Sequence, residues 1–566
     1  MPVTIRMRRL IPLLPQGRPT GFFWLLLGAL VLLLPAITVA GERSSLHINL
    51  LAAEIAREMT PGAVEPDGIR DGHILIRSIE LRAEQVQFPK LGITRGKLRE
   101  RLVKQYLQMG PTLSVGSMHR IADDLTELYR SRGLHFATVV VTPQEIVDGH
   151  LVLRLRVGRL SEIHVYDNRL YTSEQLLAPF RDQMAGPVYG PAVEKGLDRL
   201  NRQAGLRVFG LFSVGRSDGE TRLNLRVRHE QRQRTEVRVD NHGLAETGEN
   251  RLLLRHSVNN LFRQGGTLSA TALFTNESGN LFGGLSWQKP FGDHQRLSLS
   301  LLRSEFAIGG DFAVLGLSGT LDMASVGWGL ESLGPKLPGG RVRVTLAAKQ
   351  ATLKSALFPE DLEERFRYVT LSPSLGYQWR QLSGQWHHQA LANPLLGVVS
   401  QNENADLASP FSALRGQYRL RHDLALAGGQ FATEFRLQGI YSPEGLPSSE
   451  RRNLTGPDGV RGFAPGLFSA DRAYLARLEQ TLYAWQWAHD WQSRPYLFID
   501  QGRGWLADDS GQRAHFLGGG LGLDLAFRQR ILAGVHWGRA LDQGNSNNLA
   551  IRKGNDAVYG HLSVRF

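Results

Sequence analysis

Asp458-Gly459-Val460-Arg461-Gly462-Phe463-Ala464-Pro465-Gly466 is the stretch on which the reading of this chain turns. It lies in a polar segment from about Tyr441 to Arg472, between two runs of alternating apolar residues. A loop that long inside a compact domain is usually either functional or disordered. Gly459, Gly462 and Gly466, with Pro457 and Pro465, specify sharp turns rather than a loose coil. Arg461 and Phe463 are therefore expected at a defined tip. Downstream stands Phe498-Ile499-Asp500-Gln501-Gly502. In a strand, Phe498, Asp500 and Gly502 share one face, while Leu497, Ile499 and Gln501 share the other. A carboxylate among apolar neighbours needs a partner if that face closes on an interior, and Arg461 is the candidate.

The two motifs in this order, Val460-Arg461-Gly462-Phe463 and then Phe498-x-Asp500-x-Gly502, resemble those of the two-partner secretion transporters of the haemolysin secretion/activation type. These belong to the superfamily of POTRA-barrel insertases and translocators. The resemblance implies a loop folded back into a β-barrel lumen, with Arg461 paired to Asp500. It also implies a fold of α+β periplasmic POTRA (polypeptide-transport-associated) modules followed by an all-β transmembrane barrel.

Composition is compatible with this. The chain has 566 residues and no cysteine, which excludes disulfides and thiolate metal sites and suits an exported protein. Its 62 glycines are about 11% of the chain, above the usual ~7%, as barrel strands and turns require. The formal charge of +13 includes four arginines and no acid in residues 1–40, so the remainder carries about +9. No nucleic-acid-binding motif accompanies that charge.

Residues 1–40 read as a signal peptide: basic residues, an apolar run from Phe22 to Leu34, and small residues before a cleavage point after Ala40. Residues 41–72 read as an N-terminal helix and linker, with Ile48, Leu51, Ile55 and Met59 on one stripe of a helix over Leu46–Met59 and Pro61-Gly62 ending it. In the resembled family such a helix can plug the barrel. The order strand–helix–helix–strand–strand then occurs twice, giving a first POTRA module at 73–158 and a second at 159–230. Leu128-Tyr129-Arg130-Ser131-Arg132-Gly133 with Pro143-Gln144-Glu145-Ile146 is similar to the POTRA domains of the family. A three-stranded sheet in each module leaves edges open to an extended segment.

From about Gln231 the apolar period becomes two, for example in Arg251–Val258, Arg296–Leu302 and Tyr474–Leu482. The span 231–566 has room for about 16 antiparallel strands. Asp240-Asn241-His242-Gly243 resembles the family's barrel start. The chain ends with Leu562, Val564 and Phe566 alternating, similar to the barrel-targeting signal of outer-membrane proteins.

Chemistry is absent where an enzyme would need it. There is no Gly-x-Ser-x-Gly elbow, no His-Glu-x-x-His and no P-loop. Gly518-Gly519-Gly520-Leu521-Gly522 continues into alternating Leu523 and Leu525 and reads as a strand, and His387-His388 lacks further ligands at a useful spacing. No catalytic residue, cofactor or metal is assigned. The resemblance implies an outer-membrane translocator whose partners are a large secreted protein, exported unfolded with its N-terminal segment bound by the POTRA modules, outer-membrane lipid, and the barrel-assembly machinery. The alternatives are an assembly or insertion factor for other outer-membrane barrels and, behind it, a passive porin.

Overall fold

The computed structural model describes residues 45–49 and 69–566, less Asp71, Asp218 and short stretches mostly at the tips of barrel turns and loops. The expected signal peptide and most of the expected helix lie outside the described residues. The chain divides into two compact units between Gly158 and Arg159.

In the first unit, helices Arg95–Met109 and Val115–Ser131 cover one face of a sheet. The second helix is strongly amphipathic. Met118, Ile121, Leu125, Leu128 and Tyr129 are buried, and the Ser114 hydroxyl caps its start by accepting from Ser117 N. Tyr129 is fully buried and donates to the Val86 carbonyl at 2.7 Å, so its polar end is satisfied.

One expectation fails here. Ser45–Asn49 is a strand, not the start of a helix, and it pairs antiparallel with Ser78–Arg82. The unit's main sheet therefore has four strands, in the order 45–49, 78–82, 150–156, 138–141. Ile48 fits the helical stripe with Leu51, Ile55 and Met59 and, together with Leu46, a period of two, so the sequence pattern is ambiguous. A short isolated helix is marginal in water, whereas the strand satisfies backbone groups on the sheet edge and buries Leu46 in the module core.

The second unit begins with a three-stranded sheet, in the order Arg159–Tyr166, Glu220–Glu230, Leu206–Val214, packed under helix Gly190–Asn201. The Glu230 carboxylate accepts from the backbone N–H groups of Arg169, Leu170 and Tyr171 at 2.6–2.9 Å. Asn260 then donates to the Leu170 carbonyl and Gln175 to the Arg263 carbonyl, fixing this module to the barrel turn after Arg251–Asn259.

The barrel is closed and has sixteen strands, from Gln233–Asp240 to Asp556–Arg565, each antiparallel to the next. The first and last strands meet in a short seam, Glu236 opposite Arg565 through Asp240 opposite His561. Alternation sets the faces. Leu299, Leu301, Leu346, Leu396, Val398 and Leu521 are exposed on the outer wall, where lipid removes the cost of exposure. No described helix is long and apolar enough to cross a membrane. Leu562 and Phe566 point outward at the closing strand.

Candidate functional site: the loop inside the barrel

The segment between strands Gly429–Tyr441 and Arg472–Ala488 folds inward and carries its own small core. Arg452–Asn453 pairs with Ser469–Ala470, and Leu446, Leu454, Val460, Phe463 and Phe468 are all buried. Asp471 closes its base. This fully buried carboxylate accepts from Leu446 N, Arg451 Nε and Ala507 N at 2.9–3.1 Å.

At the tip, Arg461 meets Asp500 as a fork. Nε donates to Oδ2 at 2.7 Å and Nη2 to Oδ1 at 2.9 Å, and the Arg461 backbone N–H adds a third bond to Oδ2 at 3.1 Å. Arg461 is 5% exposed and Asp500 0%. A bidentate, charge-assisted pair fixes direction as well as distance. The remaining nitrogen, Nη1, donates to Glu479 at 3.2 Å.

Each position of both motifs has a task. Phe498 lies flat beneath the guanidinium, whose carbon is 3.5 Å from the ring centre. Gly502 leaves room for Val460; a Cβ there would be 3.0 Å from a Val460 methyl. Gly462 takes φ +96, and a Cβ on it would stand 2.5 Å from the Arg539 backbone, so only glycine fits. Phe463 packs edge-on against Phe516 at 5.1 Å, and its carbonyl accepts the Tyr559 hydroxyl at 2.7 Å.

Several contributors carry no motif that sequence reading could use. Arg477 donates to the Pro457 and Gly459 carbonyls and so cradles the turn before the tip. Glu479 takes the third arm of Arg461. Gly518 and Gly538 line the dock: a Cβ at Gly518 would lie 2.0 Å from the Arg461 carbonyl oxygen, and one at Gly538 2.6 Å from Gly462 N. Glu479 shares its strand face with Arg477, and that parity was the one signal available for it. The glycine-rich run at 518–522 is a barrel strand, within Arg513–Phe527. His388 is stacked on Trp379 with ring centres 4.7 Å apart.

With this geometry in view, comparison with known proteins separates this barrel from others of similar size. Residues 343–525 match the profile of the haemolysin secretion/activation proteins ShlB/FhaC/HecB, and residues 82–158 match a POTRA domain of ShlB type. These matches support an outer-membrane two-partner secretion translocator. The first match contains the whole loop and both motifs. Among curated relatives, the heme/hemopexin transporter protein HuxB of Haemophilus influenzae strain 86-028NP is 22% identical to the transporter over 453 residues, covering 75% of this chain and 78% of HuxB. Among solved structures, CdiB from Escherichia coli is similar with a TM-score of 0.64 at 18% identity, over 90% of this chain and 93% of that one. CdiB from Acinetobacter baumannii gives 0.59 at 18% identity, over 88% and 91%. The transporter is an outer-membrane protein with its POTRA region in the periplasm, and its function is two-partner secretion across that membrane.

Proposed function

We propose that the transporter exports one large partner exoprotein, unfolded, through its lumen, and that the inward loop holds the passage closed until the partner engages. The observation that carries this reading is the buried Arg461 fork on Asp500 inside a closed barrel. A gate needs a defined closed state with a breakable contact, and this contact can serve as one.

In this reading the POTRA modules receive the partner's N-terminal segment. Supporting it, Leu206–Val214 is an edge strand of the second module, with Phe209 and Leu211 exposed on one face. Natural sheets usually blunt such an edge with charge or proline, and an extended peptide can add to it through main-chain hydrogen bonds. The corresponding edge of the first module, Thr138–Val141, is four residues long with none of them exposed, and the opposite edge strand of that module, Ser78–Arg82, already carries the chain's own Ser45–Asn49. The second module is therefore assigned the receiving edge.

The test is co-expression with the large, signal-bearing partner, measuring partner in the medium per unit of heat-modifiable barrel inserted. Phe209→Asp with Leu211→Asp should leave insertion intact, lower secretion several-fold, and reduce photocross-linking of the partner's N-terminal segment to the module. Undiminished secretion and cross-linking would remove that edge from cargo capture. Partner in the medium at wild-type level without the transporter would remove the function itself.

A further inference from the structure

We propose that Glu450 is a second latch of the loop, separate from Arg461, and that the loop is a strap fixed at an elbow as well as at its tip. The inference deepens the gating reading above and rests on it.

Glu450 ends the short helical turn Ser448–Glu450 and is 4% exposed. Its Oε1 accepts from the Lys349 ammonium and, at 3.0 Å, from the Tyr368 hydroxyl. Its Oε2 accepts from Arg415 Nη2 at 2.7 Å, and that nitrogen also donates to the Glu450 carbonyl at 2.9 Å. The neighbouring Ser449 hydroxyl lies 2.7 Å from the Tyr368 oxygen. The partners come from strands Gly340–Ser355, Glu364–Arg380 and Phe411–Leu426. The tip uses Glu479 and Asp500 from Arg472–Ala488 and Trp491–Trp505, with Gly518 and Gly538 from the two strands that follow. The two anchors share no side chain and sit on different parts of the wall.

The charges make the elbow hard to open. Lys349 and Arg415 pair with no carboxylate other than Glu450 among the described residues. If Glu450 leaves, two partly buried cations lose their common counter-ion, which is costlier than exposing an ordinary surface pair. The loop's own core and its two-stranded sheet make the piece between elbow and tip one body.

Among the described residues, no side-chain hydrogen bond joins the loop to the strands between Gln233 and Leu330. A cavity of about 590 Å³ lies along that wall, lined by Leu253, Arg255, Leu273, Phe282, Ser300 and Leu302 among others. Release of the tip alone lets the loop swing about Glu450 while it stays in the lumen. Release of both anchors lets it leave.

The chain has no cysteine, so Thr455→Cys, at a buried mid-loop position, is a unique reporter. The rate of its labelling by a membrane-impermeant maleimide in intact cells is measured with Arg461→Ala, Glu450→Gln, Lys349→Met and the Arg461→Ala/Glu450→Gln pair. Each single change should raise the rate modestly. The pair should raise it by roughly ten-fold over Arg461→Ala alone, which corresponds to about 1.4 kcal/mol. Lys349→Arg should restore the slow rate that Lys349→Met loses. If Glu450→Gln fails to insert, Lys349→Met with Arg461→Ala carries the same comparison. A pair that labels no faster than Arg461→Ala overturns the second latch. Secretion measured in parallel separates the two readings: faster labelling with unchanged secretion keeps the latch and removes the loop from transport.

Discussion

The barrel wall treats its loop in two different ways. Between Gln233 and Leu330 the lumen face presents residues such as Ser286, Ser300 and Met323 beside an open cavity. Beyond Gly340 it presents to the loop the charged clamps Lys349, Arg415 and Asp500 and the close-approach glycines Gly518 and Gly538. Two glycines illustrate the contrast. A Cβ on Gly284, in the first part, would meet nothing nearer than 3.5 Å, an ordinary contact. The same atom on Gly518 would fall 2.0 Å from the loop backbone. One wall is built to be left free and the other to be docked against, and the difference can be broken by mutation.

The largest effect is expected at Asp500. Asp500→Ala leaves a buried guanidinium with only Glu479 as a charged partner. Losing one member of a buried pair costs up to about 3–5 kcal/mol, less here because Glu479 remains and is partly exposed. Secretion per inserted barrel should fall by at least about ten-fold, since about 1.4 kcal/mol already corresponds to that factor. Arg461→Ala should match it, and the double mutant should be little worse, because both changes break one contact. Additive losses would show that the two residues act separately. Arg461→Lys should rescue poorly, since an ammonium cannot reproduce the fork.

A smaller effect, aimed directly at the two walls, comes from Gly518→Ala against Gly284→Ala. The first forces the Arg461 backbone off its dock and should lower both secretion and the temperature at which the folded barrel form is lost on heating. The second should leave both within experimental scatter. Equal effects would mean that the docked wall is no more demanding than the free one.

How much of this was readable follows the range of each interaction. Strand parity at 497–500 depends only on a period of two, so the inward face of Asp500 was legible, and so was the second helix of the first module, from the helical spacing of Met118, Ile121, Leu125 and Leu128. The elbow was not. Glu450 meets Lys349 and Arg415 across 101 and 35 residues, and those meetings depend on the register of several strands. Nothing local in the sequence marks Glu450. The N-terminal strand was misread because Ile48 fits a helical stripe with Leu51 and Ile55 as well as a period of two with Leu46. Only the presence of an open sheet edge decides between them.

The smallest effect on transport is expected at Phe566, where the two walls close on each other. Its ring is 73% exposed on the outer surface, so it adds little to packing within the barrel. Its backbone does more: N–H donates to the Thr235 carbonyl at 2.9 Å, and its own carbonyl accepts from Thr235 N at 3.3 Å. Phe566→Ser keeps both bonds and removes only the outward aromatic group. If that group serves barrel targeting, as the terminal pattern with Leu562 and Val564 suggests, the amount of inserted barrel should drop while secretion per inserted barrel stays unchanged. Deleting Phe566 also removes the two seam bonds and should lower the inserted amount further. Should Phe566→Ser instead depress secretion per barrel, the seam would belong to the gate, and the division of the wall into a free part and a docked part would have to include its junction.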